Sequence, residues 1–216
     1  MSTETPFKPL DRDGMARRAA ADIPEGWVVN LGIGIPTEVA RFVPPEREVI
    51  FHSENGVIGA GPTPETVDPY LVNAGGQHIT LRPGASLVHH ADSFAIARGG
   101  HLDLSILGAF EVSEQGDVAN FALHAHDPAR QIGGAMDLAA GAKRLWIIME
   151  HTTKHGTPRL RRQCHYPLTA KGTVRRVYTN LAVLDVTPRG FVVRDIIEGL
   201  SFEELQARTE ATLLRD

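Results

Sequence analysis

Apolar and polar positions change period along this chain, and the changes mark its elements. Met15, Ala16, Ala19, Ala20 and Ile23 recur at helical spacing, with Arg12, Arg17 and Arg18 off that face; this predicts a first helix stopped by Pro24 and Gly26. Residues 1–10 before it read as a loose arm. Trp27 to Leu31 predicts a short strand that feeds Gly32-Ile33-Gly34-Ile35-Pro36. A helix starts at Pro36, a favoured first helical position, and ends at Pro44-Pro45. Val49, Ile50 and Phe51 predict a buried strand, being β-branched and aromatic and too short for a helix. Ser53-Glu54-Asn55-Gly56 then reads as a tight turn, because Asn and Gly tolerate positive φ. Gly59, Gly61 and Pro62 predict irregular backbone beyond it.

Glu65 to Gly76 is polar and irregular. Short strands are predicted at His78 to Leu81 and at Leu87-Val88, the latter ending at His89-His90. Ala91 to Arg98 predicts a helix closed by Gly99-Gly100. Strands follow at Leu102 to Leu107 and near Phe110 to Val112, with a turn at Gln115-Gly116-Asp117. Leu123 to Gln131 reads as an exposed loop. Gly133-Gly134 opens a short helix to about Ala142, and Arg144 to Met149 is a strong buried strand. His151 to Arg162 is polar and loop-like. Val177 to Val186 has strand character; Thr187-Pro188-Arg189-Gly190 makes a turn and Phe191 to Ile197 pairs back as a hairpin. Ser201 with Glu204 forms a capping box for a last helix, whose apolar side is Phe202 and Leu205. Helices alternate with strands early and strands run together late. That pattern predicts an α/β sheet with helices on both faces and some antiparallel pairing. With no repeat, linker or low-complexity segment, residues 1–216 are expected to form one domain.

Composition adds limits. Hydrophobic content of 42% and charged content of 22% are ordinary globular values. A net charge of −4 without a Lys/Arg cluster argues against a nucleic-acid surface. One cysteine, Cys164, suits a reducing compartment. The amino terminus lacks the basic and apolar regions of a signal peptide, and the apolar run near Leu145 to Met149 is too short to span a bilayer. A cytoplasmic protein that does not act on membranes is the expectation.

The candidate chemistry centres on Glu54, a carboxylate on a tight turn at the carboxyl end of a buried strand. In open α/β sheets that edge is where ligands bind. The same four residues also suit a plain solvated turn. Gly32 to Pro36 has the strand, Gly-rich turn, helix arrangement that binds anions. It departs from the dinucleotide fingerprint at Thr37, and a turn serving only packing fits as well. Asn30 at the strand end is placed either to contact a ligand or to cap the turn. Gly133-Gly134 offers two N–H groups free of side chains, suited to a developing oxyanion or to a simple loop-to-helix joint. His151 and His155 have four-residue spacing, but Gly156 and Pro158 oppose a helix there. His124 and His126 lack cysteine partners, so no metal is expected. Cys164 and His165 would point opposite ways on a strand, which argues against a thiol nucleophile. Glu54 is the best nucleophile candidate. It must be ionised to attack, and N–H groups of the turn are expected to favour that form.

Ser53-Glu54-Asn55-Gly56 followed by Gly59-Ala60-Gly61-Pro62 resembles the signature of family I CoA-transferases, the 3-oxoacid CoA-transferases. Further matching blocks are Val29 to Thr37, Leu71 to Gly75, Asp92 to Phe94, Arg98 to His101, Leu107 to Ala109, Gly116 to Asn120, Gly133 to Leu138, Met149 to Thr152 and Pro167 to Thr169. The likeness runs from about Asp11 to Leu213 and is to the family's B-type subunits. It implies an open three-layer α/β/α mixed sheet of the CoA-transferase and sugar-phosphate-isomerase kind. It implies that Glu54 attacks an acyl-CoA thioester and comes to carry CoA as a thioester, with no metal and no cofactor beyond the CoA substrate. Carried over residue by residue, Gly134 (with Gly133 beside it) matches the N–H donor to the oxyanion, and Asn30 matches a CoA-contacting Asn. Two departures stand out. Gly76 replaces the Lys that usually follows Asn-Ala-Gly and contacts CoA, and the Leu123 to Gln131 loop differs from common family versions.

Gln77 to Leu81, His89 to Phe94, Leu107 to Phe110, Tyr166 to Thr169 and Ser201 to Leu205 look more like 3-oxoadipate enzymes than acetoacetate ones. The resemblance thus implies transfer from succinyl-CoA to 3-oxoadipate, with acetoacetate as the alternative acceptor. His89 or His90 at a strand end is placed to bind the second carboxylate of oxoadipate. The Gly-Gly-Phe-Gly segment of the A-type subunits is absent here, so an A-subunit partner is implied, in an A2B2 heterotetramer. A non-catalytic ligand-sensing domain on the same scaffold is the competing reading.

Overall fold

The computed structural model describes residues 7–124, 126–127 and 133–216. Most of the expected arm and much of the 123–131 loop therefore lie outside the described residues. Helix α1 spans Arg12–Ala21 and is capped by Asp11, whose carboxylate accepts from Gly14 N at 2.8 Å. Strand β1 (Val28–Leu31) leads into a single-turn helix α2 (Ile35–Glu38), extended by a 3-10 turn at Val39–Phe42. Strands β2 (Ile50–Ser53), β3 (Val57–Ala60) and β4 (Leu81–Leu87) follow, then helix α3 (His90–Arg98). After β5 (Leu104–Leu107) come β6 (Glu111–Ser113), β7 (Val118–Ala119), α4 (Ala135–Gly141) and β8 (Leu145–Met149). The chain ends through β9 (Leu160–Arg161), β10 (Val174–Thr179), β11 (Ala182–Thr187), β12 (Gly190–Ile196), α5 (Phe202–Ala207) and β13 (Leu213–Arg215).

Ten strands form one mixed sheet in the order β13-β12-β11-β10-β8-β5-β1-β2-β3-β4. Its centre is parallel: β10, β8, β5, β1 and β2 run the same way. Both flanks turn antiparallel, β2-β3-β4 on one side and β10-β11-β12 on the other. Strands β5 and β8 are buried throughout and, Ser105 apart, apolar on both faces, as parallel strands covered by helices require. Side-chain alternation divides the core. Leu145, Ile147 and Met149 of β8 pack with Ala97 of α3, Leu138 of α4 and Leu205 of α5. Trp146 and Ile148 pack on the other face with Met15, Ala16, Ala19 and Ala20 of α1. The result is the expected α/β/α layering. A small sheet, β7-β6-β9, adds to one end.

The structure corrects several expected elements. The irregularity expected after Gly56 interrupts a strand rather than replacing it: β3 pairs antiparallel with β2 and β4, and Gly59 sits at a register shift with φ 86°. The two short strands expected at 78–81 and 87–88 are replaced by one strand, β4, running through Pro83-Gly84. A proline is tolerated there because β4 is an edge strand, with no further ladder to serve. The single strand expected over 177–186 is a hairpin, β10 and β11. Strand β13 adds parallel to β12 beyond the last predicted element.

Candidate active site

The turn that carries Glu54 is clamped by the residues on either side of it. Ser53 Oγ accepts from Ala74 N at 2.8 Å, and Asn55 Nδ2 donates to Val72 O at 2.7 Å. Both flanking side chains thus grip the 72–74 segment. Gly56 closes the turn at φ 110°, and a Cβ there would overlap Val88 O. Of the Asn55-Gly56 pair only the glycine takes a positive φ. Glu54 lines a cleft of about 550 Å³ with Asn30, Gly32, Ala74, Gly108, Asn120, Gly133 and Gly134. Glu54, Gly133, Gly134 and Asn30, distant in sequence, therefore meet in one place.

Gly134 caps α4 and packs directly against the carboxylate. A Cβ added to it would lie 2.5 Å from Glu54 Oε2 and 2.6 Å from Phe94 Cζ. Gly133 precedes it at φ 50°, again a glycine conformation. The electrostatics differ from the expectation that N–H groups of the turn favour the ionised form of Glu54. Instead burial raises its proton affinity, His90 opposes that, and Asp137 adds to it.

Asn30 of β1 is 2% exposed. Its Nδ2 lies 3.1 Å from His52 Nδ1 and 3.2 Å from His52 O, so it bonds across to β2. On the other edge of the ring, His52 Nε2 lies 2.9 Å from Ser93 Oγ. Sequence reasoning missed His52 and Ser93. A histidine after Val-Ile-Phe looks like the end of a strand, and only the pairing of β1 with β2 reveals its partner.

The two histidines expected to hold a distal carboxylate have different settings. His89 caps α3, its Nδ1 accepting from Ala91 N at 3.2 Å. His90 packs edge-on to Phe94 with centroids 4.9 Å apart, and its charge acts on Glu54. Neither belongs to the wall of the cleft that holds Glu54. That wall does contain Arg12 and Arg159, two cations that sequence reasoning did not single out.

The remaining candidates have structural settings. His151 is not in an open polar loop but fully buried, between Thr179 Oγ1 at 3.0 Å and Thr209 Oγ1 at 2.8 Å. Burial lowers its pKa to about 4. Burial, with Glu111 and Asp117 nearby, pushes the Cys164 thiol up to about 12, so it is no nucleophile. Among the described residues no group of three His, Cys, Asp or Glu is placed to hold a metal ion, and no helix is long and apolar enough to cross a membrane. Gly76 takes φ 76° in a turn closed by Gly76 N to Asn73 O at 3.0 Å. A lysine would be strained in that backbone conformation.

The family model described as Coenzyme A transferase matches residues 13–207. This chain belongs to the coenzyme A transferase family. It is 48% identical over 210 residues to the B-type subunit of the 3-oxoadipate CoA-transferase of Acinetobacter baylyi, covering 96% of this chain and 97% of that one. It is 45% identical to the B-type subunit of the succinyl-CoA:3-ketoacid coenzyme A transferase of Helicobacter pylori, covering 93% and 97% respectively. In fold it is similar to an acyl-CoA transferase apoenzyme from Escherichia coli O157:H7, with a TM-score of 0.77 at 20% identity; the match covers 100% of this chain and 43% of that chain.

Proposed function

We propose that this chain is the catalytic B-type subunit of a 3-oxoacid CoA-transferase that moves CoA from succinyl-CoA to 3-oxoadipate. The observation that carries this reading is Glu54, set on a clamped turn in the cleft and packed against Gly134, where an added Cβ would overlap the carboxylate. The Glu54 carboxylate attacks the succinyl thioester carbonyl, forming a mixed anhydride and expelling CoA thiolate. The thiolate attacks the glutamyl carbonyl; succinate leaves, and Glu54 holds CoA as a thioester. The incoming 3-oxo acid reverses both steps. Gly134 lets the reacting carboxyl approach bare backbone, where an N–H stabilises each oxyanion. Burial favours the uncharged anhydride and thioester over the free carboxylate, which makes Glu54 more reactive as a nucleophile. Each exchange trades one thioester for another, so neither a cofactor nor a metal is called for.

Relatives named for 3-oxoadipate favour that acceptor. Those named for 3-ketoacids specify no particular acid, which keeps acetoacetate as the second reading. Oxoadipate has a second carboxylate to bind. His90 remains the candidate for it, since His89 is engaged as a helix cap. The relatives are B-type subunits by name, which supports an A-type partner; an A2B2 assembly and a cytoplasmic location are part of the same proposal.

One preparation tests this. The chain is co-expressed with an A-type subunit, incubated with succinyl-CoA, digested and analysed by mass spectrometry. A CoA adduct confined to the Glu54 peptide is expected, with turnover falling on the order of 10^4-fold or more in Glu54→Gln. An unmodified peptide with CoA still bound would point to a ligand sensor instead. Offering both 3-oxo acids identifies the acceptor, and His90→Ser is expected to lower turnover of 3-oxoadipate more than of acetoacetate.

A further inference from the structure

Asn30 and His52 are paired neighbours on β1 and β2, 2% and 3% exposed. Asn30 Nδ2 lies 3.2 Å from the backbone carbonyl of His52. A carbonyl oxygen can only accept, so this end of the side chain is the NH2 group. The same Nδ2 is 3.1 Å from His52 Nδ1, which must then accept as well. A neutral ring with a bare Nδ1 carries its proton on Nε2, 2.9 Å from Ser93 Oγ. Ser93 in turn donates to Ser53 O at 3.3 Å. Burial keeps the imidazole neutral by lowering its pKa. The chain of donors therefore has one direction: Asn30 to His52 to Ser93 to the backbone of the residue before Glu54.

What this leaves over is Asn30 Oδ1. It is buried and has no partner among the described residues, yet it belongs to a side chain in the wall of the Glu54 cleft. An orphaned buried acceptor costs stability, and a ligand's donor would satisfy it.

We infer that His52 is a positioning residue: with Ser93 it locks the Asn30 amide so that its oxygen, not its nitrogen, is offered to an amide N–H of the pantetheine arm of acyl-CoA. This rests on the CoA-transferase reading. A flipped Asn30 would oppose donor to donor. The direction of the His52–Ser93 chain thus reinforces, from a second strand, the polarity that the His52 carbonyl gives this subsite.

The test uses the enzyme assembled with its A-type subunit. His52→Leu is expected to raise KM for succinyl-CoA about tenfold, the loss of roughly one hydrogen bond, with a smaller effect on kcat. KM for the 3-oxo acid, which has no amide N–H, is expected to stay unchanged. Asn30→Ala raises KM for succinyl-CoA similarly, and His52→Leu adds nothing further in that background. If His52→Leu fails to assemble, Ser93→Ala takes its place. It removes the acceptor for Nε2–H, frees the other tautomer, and is expected to give the same pattern at several-fold. A wild-type KM in Asn30→Ala, or additive losses in the double variant, would overturn the inference. The Glu54–CoA adduct in the wild-type enzyme is the control: its absence would sink the reaction itself, whereas its presence with additive losses sinks only the role of His52.

Discussion

At Glu54 two pressures oppose each other. Burial favours the protonated acid, while the proposed reaction needs the carboxylate. Because the folded-state pKa is raised, the folded chain holds more protons than the unfolded one between the unfolded and folded values. Stability therefore falls as pH rises through that window. Glu54→Gln, which stays uncharged, is expected to melt with the wild type at acid pH and above it at neutral pH. Parallel thermal unfolding curves across pH check this, and identical curves throughout would mean that the side chain titrates normally. The same shift predicts that kcat/KM for succinyl-CoA falls on the acid side with an apparent pKa above the ordinary glutamate value. At position 134 the prediction is steric. The methyl group of Gly134→Ala needs the space of Glu54 Oε2 and the Phe94 ring. Misplacing the nucleophile by about an ångström is expected to lower kcat by roughly 10^2-fold. Near-normal turnover with an unchanged circular dichroism spectrum would show that the carboxylate has room elsewhere.

Between elements, His151 joins the end of β8 to β10 and to the segment after α5, through Thr179 and Thr209. Its pKa is lowered to about 4, so the unfolded chain binds the extra proton first as pH drops. Its contribution is full above about pH 6.5 and is lost as pH falls toward 4. His151→Gln, which cannot take up that proton, is expected to flatten this acid limb in thermal melts; an unchanged slope would assign the limb to other groups. His151 also shows what one sequence hides. Its neighbours are polar and it reads as loop, but three elements close over it. Pro83-Gly84 misleads in the same way, since only the strand order reveals that β4 is an edge. Asn180 alone, without Gly or Pro beside it, is a weak sign of the turn that splits β10 from β11. Strongly patterned pieces are legible: the alanine face of α1, the apolar run of β8 and the Ser201–Glu204 capping box all stand as read. At the site, Glu54, Gly134 and Asn30 are found through motif, because turn chemistry is local. The His52–Ser93 chain and the cleft cations Arg12 and Arg159 depend on strand order and are not legible.

Across the whole molecule, one mixed sheet separates two cores, and the cleft opens where the parallel centre meets the antiparallel hairpin of β2 and β3. The wall includes Ile33, which is 70% exposed, while Tyr70 beside the clamped segment is 93% exposed. Large apolar groups left open, one of them in the cleft wall, suit a protein that works against a partner. Purified with an A-type subunit, the chain is expected to elute as a four-chain particle by light scattering, and to show no transferase turnover alone. A fully active single chain would remove the need for a partner.

The grip of Ser53 on Ala74 has a use at the bench. That N–H ends on a hydroxyl adjacent in sequence to Glu54, the residue we propose changes covalent state. Its exchange with deuterium, compared with and without acyl-CoA, thus reports how firmly the turn stays closed, a probe already present in the backbone and requiring no label on the enzyme's reactive groups.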